Sequence, residues 1–408
     1  MSDISEGPGP RRATVAAIAD QGVAALTNIA VVVCAARQST AADFASFAVV
    51  YTVFALLLGA ATAYVGQALV LRRGAAAELH GHCRASALFT LGASAALGAT
   101  TALVTVAIPG GIADGLTALG LVLPLVLTQD GLRYAFSVLG RPQLALVTDL
   151  SRLAVAVPVL ALQPYGTEPG RMVLAWGLSS LPALLLGAGL LLLHTRGAAA
   201  IHPRTLLDRR HLGRRFVVEF GVGNAASQLA IVALGLLANP LAVGALRGAT
   251  TLFGPLNVLF NAATGFGPPL LGRYPSPHHQ ARAAFTAGAT LAGVAAGWAL
   301  VLLVLPDAAG RALLGDTWDA AVSLLPATGT QYAVMALGTC GLLLLRVLTP
   351  RATLPVQLTF SLVSVACLLI GYAAGGILGA AWGLAAGSAM KAAASWLRAG
   401  FELRVTAQ

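Results

Sequence analysis

The chain has 408 residues, of which 57% are hydrophobic and only 10% charged, and its mean hydropathy is +0.81. A water-soluble fold carries roughly 25% charged residues, so that class is excluded, and the apolar residues fall into blocks of about 20, the length that crosses a bilayer as a helix. The net charge of +10 does not mark a nucleic-acid binder, because the basic residues recur singly or in small groups between apolar blocks, as topological anchors do.

The first residues are polar, and the apolar block that follows contains Asp20, Gln21 and Asn28, which is unlike a cleaved secretory leader. Twelve spans are predicted, at 13–36, 44–71, 85–108, 116–139, 144–163, 171–193, 215–237, 246–271, 284–305, 323–345, 355–373 and 378–397. Tails at 1–12 and 398–408 flank an N-terminal lobe (13–193), a linker (194–214) and a C-terminal lobe (215–397). The 46 glycines and abundant alanine suit close packing of membrane helices, and the alternating ten-residue segments of a β-barrel are absent. The expected fold is all-α and polytopic.

Lysine and arginine are divided unequally among the connections. Only Arg37, Arg171, Arg247 and Arg311 fall on one side, Arg133 and Arg152 fall inside spans, and the other 19 of the 25 fall on the opposite side, Lys391 and Arg346 among them. The bias alternates with every span and places both termini in the cytoplasm. Six spans in each half predict two lobes related by a parallel pseudo-two-fold repeat. Ala-Trp-Gly-Leu at 175–178 recurs at 381–384, Ala-Ala-Thr-x-aromatic at 60–64 recurs at 262–266, and Arg11-Arg12 recurs as Arg214-Arg215.

A charge at membrane depth costs several kcal/mol by most scales, so the charges inside spans carry the functional argument. Asp20 lies about 10 Å into the first span, with no basic residue within a turn of it on its own helix. It is a candidate for proton or cation coupling or, equally, the partner of an arginine from another helix. Asp130 and Arg133 share the fourth span at i,i+3, and Asp149 and Arg152 share the fifth. The short turn Gly140-Arg141-Pro142-Gln143 brings Arg133 and Asp149 to similar depth, so these four form either a neutralised packing network or part of a substrate path, with Asp130 and Asp149 as gating candidates. Arg247 heads the eighth span, the most polar and interrupted of all, with Asn257, Asn261 and Gly267-Pro268-Pro269. Such a helix borders a substrate path, where Arg247 can hold an anion or else snorkel to the headgroups. Glu219 reads as a helix N-terminal acid beside Arg215. His80-Gly81-His82-Cys83 is expected in a cytoplasmic loop without a second ligand pair, so neither a metal nor a cofactor is expected, and the four scattered cysteines form no CxxC motif.

Several segments resemble bacterial polysaccharide flippases, the Wzx-like members of the multidrug/oligosaccharidyl-lipid/polysaccharide exporter superfamily. They are Asp20-Gln21-Gly22 with Asn28; Phe44 to Tyr51; Leu69-Val70-Leu71-Arg72; Gln129-Asp130-Gly131-Leu132-Arg133-Tyr134 with Gly140-Arg141-Pro142 and Asp149-Leu150; Val243 to Arg247 with Gly254-Pro255-Leu256-Asn257; Leu314 to Trp318; and Leu324-Leu325-Pro326. The resemblance implies alternating access between two six-helix lobes in a bacterial inner membrane. It implies a polyprenyl-diphosphate-linked oligosaccharide as cargo, moved from the cytoplasmic to the external leaflet, with membrane lipid and glycan-assembly proteins as partners. Arg133, Arg152 and Arg247 would then be cavity cations, with Asn257 and Asn261 beside them. Asp20 also resembles the first-span carboxylate of drug/cation antiporters in the same superfamily, so a cation-coupled multidrug exporter is the alternative. An intramembrane glycan polymerase or ligase is a weaker rival, because the longest external connection is only the segment around Pro306 to Trp318. No enzyme activity is expected.

Overall fold

In the computed structural model of the chain, residues 10–223, 246, 249–250, 252–314 and 318–405 are described, and they form helices joined by turns. The chain divides into two compact units, Met1–Val217 and Val218–Gln408.

The first unit holds six spans. They are α1 (Pro10–Gln38), α2 (Ala41–Ala61, continuing through a π-helical turn at Thr62–Gly66 to Val70), α3 (Ala76–Thr105), α4 (Gly111–Val138), α5 (Pro142–Ala161) and α6, which is broken into Pro169–Leu178 and Leu181–His194. Local chemistry sets the boundaries. Thr40 caps α2 by accepting the Asp43 N–H at 3.2 Å. At the end of α4, Gly140 takes φ 69°, the Gly140 N–H donates to Ser137 O and the Arg141 N–H to Phe136 O; this is the Schellman closure. Pro142 then opens α5, where its missing N–H costs nothing. The core of this unit is aromatic and aliphatic: Trp176 of α6 lies edge-on to Phe54 of α2, with centroids 4.7 Å apart, above Phe47, Leu119, Val122 and Leu123. Gly98 and Gly120 let α3 and α4 meet backbone to backbone; a Cβ on Gly120 would stand 3.0 Å from the Ala102 nitrogen.

The structure corrects one expectation in this unit. The third span begins at Ala76 rather than residue 85, so His80 to Cys83 are helical and not in a loop. Hydropathy marks where the bilayer begins, whereas the helix runs on through its polar first turns. Cys83 is fully buried, its Sγ 3.8 Å from Ala135 O. The repeated peptides also occupy unlike settings: Trp176 is 1% exposed but Trp382 is 46% exposed. Ala-Ala-Thr at 60–62 leads into the π turn, while its copy at 262–264 is ordinary α-helix.

In the second unit the described spans are α8 (Gly254–Leu271), α9 (Pro277–Leu303), α10 (Leu325–Leu348), and a helical run Thr353–Val405. The run is broken at Gly375 and Gly376 into α11 (353–374) and α12 (377–405). Gly376 has φ 59°, a left-handed conformation that favours glycine. A helix over 213–223, α7, begins the seventh span and contains the division between the units; most of that predicted span, at 224–237, lies outside the described residues. Gly379, Gly383 and Gly387 line α12 where it meets α11, and a Cβ on Gly387 would fall 2.6 Å from Ser364 Cα. Of the expected interruptions, the one at Gly254-Pro255 is present, where the chain turns at Phe253 (φ −90°, ψ 5°) before α8 begins, whereas α8 runs on through Pro268 and Pro269, which sit in its last turn. Ahead of α10, short helices at Asp307–Leu314 and Trp318–Val322 are tied by the buried Trp318, whose Nε1–H donates to Asp307 Oδ1 at 3.0 Å.

Candidate functional site

The α4–α5 turn fixes the central geometry. Arg133 stands seven residues before Gly140 and Asp149 seven after Pro142, so the antiparallel helices carry them to the same depth, about 10 Å from the turn. On α4, Gln129, Asp130 and Arg133 fall on one face by their i,i+3 and i,i+4 spacing. That face meets Asp149 and Arg152 of α5 and Asp20 of α1.

Arg133 is the hub. Its Nη1 donates to Asp130 Oδ1 at 3.0 Å, its Nη2 to Asp149 Oδ2, and its Nε lies 3.0 Å from Asp20 Oδ2. The last contact is close enough for an ion pair but is not aligned as a hydrogen bond, so both Asp20 oxygens lack a hydrogen-bond partner among the described residues. Asp20 is 0% exposed. Gln129 bridges Asp149 and Arg152: its Nε2 donates to Asp149 Oδ1 at 2.8 Å, and its Oε1 accepts from Arg152 Nη1 at 2.9 Å. Arg152 Nε and Nη2 make no hydrogen bond among the described residues.

The charge balance is unequal. Three carboxylates face two guanidinium groups, which leaves one surplus negative charge. A buried carboxylate with no donor on either oxygen is costly, and Asp20 also faces Asp149. A proton between the two carboxyls turns that repulsion into a hydrogen bond, and a small cation has the same neutralising effect.

The second unit holds a separate charged group. Glu219, 2% exposed, accepts from Arg346 Nη2 at 3.0 Å and from Thr353 Oγ1 at 2.5 Å. Glu219 was expected beside Arg215 at a helix start; it is instead the acid of a buried pair with α10. Arg346 and Lys391 were expected among the cytoplasmic connections but lie within α10 and α12. Lys391 lines a cavity of about 430 Å³ bounded by Gln331, Thr339, Ser361, Ser364 and Ser388.

Of the sequence-derived candidates, Asp20, Asp130, Arg133, Asp149 and Arg152 are thus brought together. Asn257 and Asn261 are exposed, one turn apart on α8 in the other unit. Arg247 lies outside the described residues, as do Val243 to Ala245 and Gly315 to Thr317. Sequence reasoning missed Gln129, whose only signal was its place four residues before Arg133. It also missed the Lys391 cavity, which was hidden because Lys391 reads as an anchor.

No protein-family model matches the sequence, and neither does any curated protein sequence. Solved structures do match in fold. The Vibrio cholerae MATE transporter VcmN, in an aspartate-to-asparagine mutant form, superposes with a TM-score of 0.78 at 14% identity, covering 97% of this chain and 96% of that one. Its bent form gives 0.77 at 15%, with the same coverage. A MOP superfamily transporter from Pyrococcus furiosus, described as having a binding pocket of reversed polarity, gives 0.63 at 14%, again over 97% and 96%. At these identities the likeness is one of fold: this chain has the all-helical, two-lobed, twelve-span architecture of MATE transporters.

Proposed function

We propose that this chain is an alternating-access membrane transporter whose cycle is coupled to a proton or small cation through Asp20. The observation that carries the reading is the cluster in the first unit, where three buried carboxylates converge on one guanidinium and Asp20 has no hydrogen-bond donor among the described residues. A purely structural network favours balanced charge. A surplus carboxylate beside a second carboxylate has a use when a proton or cation enters and leaves. Arg133 is then the fixed counter-charge of the coupling site. Arg152, whose Nε and Nη2 make no hydrogen bond among the described residues, is the cation of this cluster still able to reach an anionic cargo.

For the cargo, the resemblance of the span 1, span 4–5 and span 8 segments to polysaccharide flippases supports a polyprenyl-diphosphate-linked oligosaccharide carried outward across a bacterial inner membrane. A second reading, cation-coupled multidrug export, is favoured by the fold match to a MATE transporter studied as an aspartate-to-asparagine mutant. The two separate in one experiment: mass spectrometry of polyprenyl-linked oligosaccharides in a strain depleted of the protein. Accumulation of one complete glycan-lipid, cleared by the wild type and not by Asp20→Asn, is expected. An unchanged lipid pool, with restored drug sensitivity, would select the exporter.

A further inference from the structure

The sites assigned so far lie in the first unit, yet the second unit contains a cavity with a charge of its own. Lys391 stands 14 residues beyond Ile377, the first residue of α12, or about 21 Å along the helix. A lysine there needs a counter-ion or a wet cavity. The structure supplies the cavity, and among the described residues the Lys391 ammonium has no hydrogen-bond or ion-pair partner. Its charged neighbours are Arg346, which repels it, and Glu219, which attracts it but makes its ion pair with Arg346 and its hydrogen bonds with Arg346 and Thr353.

The rest of the lining fits the same chemistry. No described acidic residue borders the cavity. Gln331, Ser361, Ser364 and Ser388 face it, and none of their side chains makes a hydrogen bond to another described residue; each offers a donor. Thr339 gives its own hydroxyl hydrogen to Met335 O at 2.8 Å. Met335 and Phe360 supply an apolar wall. A volume of about 430 Å³ is in the range of small-molecule sites, roughly 300–1,000 Å³. Gly387 keeps it open where α12 touches Ser364.

The geometry points to an anion-binding site in the second unit, in which Lys391 and the surrounding hydroxyl and amide donors hold a phosphate-type oxyanion, with the apolar wall taking an attached hydrocarbon segment. This deepens the transporter reading and rests on it only for the ligand's being cargo; binding itself requires no transport, so the two ideas fail separately.

The test is native mass spectrometry of the full-length protein in a non-ionic maltoside, titrated with dodecyl phosphate, inorganic phosphate or dodecyltrimethylammonium. Wild type is expected to take up one saturable dodecyl phosphate and no saturable dodecyltrimethylammonium. Lys391→Met should weaken that uptake at least tenfold, and Lys391→Arg should retain it. Ser364→Val, which keeps the charge and removes a donor, should weaken it by a smaller factor. Competition by millimolar inorganic phosphate would assign the site to the free oxyanion; its failure to compete would assign it to the headgroup of an amphiphile. Equal dodecyl phosphate uptake by wild type and Lys391→Met would overturn the proposal, as would equal uptake of the cationic amphiphile by wild type.

Discussion

Replacing Arg133 with methionine removes the one group on which Asp20, Asp130 and Asp149 converge. The native cluster carries one surplus negative charge. The variant carries two, with only Arg152 remaining, and Arg152 reaches Gln129 rather than a carboxylate. Removing one partner of a buried ion pair costs about 3–5 kcal/mol; three approaches are lost here, so the upper end, about 5 kcal/mol, is expected. Asp20→Asn moves the balance the other way, leaving two carboxylates against two guanidinium groups. The contact it weakens is not aligned as a hydrogen bond, so the expected loss is about 1 kcal/mol or less. The double variant should recover part of the Arg133→Met loss, a coupling of about 1–3 kcal/mol. Equilibrium unfolding in mixed micelles, followed by circular dichroism, measures all three. Equal destabilisation by Asp20→Asn and Arg133→Met would refute the charge argument, because it would make Asp20 an ordinary member of a balanced network.

Gly383→Ala on α12 should cost about 1–3 kcal/mol, since its Cβ would meet Cys367 C at 2.7 Å, whereas Gly293→Ala, which meets open space, should stabilise α9 by up to about 1 kcal/mol; thermal unfolding compares the two signs. Arg346→Met strands the buried Glu219 and should lower stability by about 3–5 kcal/mol, with much of the loss restored by adding Glu219→Gln; no restoration would mean that Arg346 acts through packing alone. The linker carries a pH dependence. Burial, then Arg72, hold His211 below its ordinary value of 6.5, and its Nδ1 accepts the Gly213 N–H at 3.2 Å, which requires a neutral ring. The linker's docking is therefore fully present above about pH 6.5 and is lost as pH falls below it. Proteolysis after the exposed Arg209 and Arg210 should rise below that pH, measured against a free peptide of the same sequence, and a flat ratio would contradict the role given to His211.

The spans were legible because a bilayer imposes a length and a composition. The Arg133–Asp149 pair was legible for a similar reason: a short turn with glycine and proline sets the depth of residues equidistant from it. Depth, however, is not rotation. Which helix turns toward Asp20 is decided by packing, through contacts such as Gly98 on Gly120 and Trp176 on Phe54, and nothing in a single span records it. The same blindness concealed the Glu219–Arg346 pair, whose members are 127 residues apart. Lys391 was misread because it was counted among the connections as an anchor, although it stands in the middle of α12, and a single lysine within an apolar span carries no sign of the cavity beside it. The π turn at Thr62–Gly66 left no mark in composition; it sits where Gly66 admits the Tyr134 ring, 2.8 Å from the position a Cβ would take.

The central claim, that movement of cargo is coupled through Asp20, is tested most directly in proteoliposomes. A fluorescent short-chain polyprenyl-diphosphate disaccharide is placed in the outer leaflet, and its transfer is followed by protection from a membrane-impermeant quencher, with and without an imposed proton gradient. Coupling through Asp20 predicts protein-dependent transfer that quickens with the gradient and falls to the rate of empty vesicles in Asp20→Asn. Transfer by Asp20→Asn at the wild-type rate, indifferent to the gradient, would contradict it.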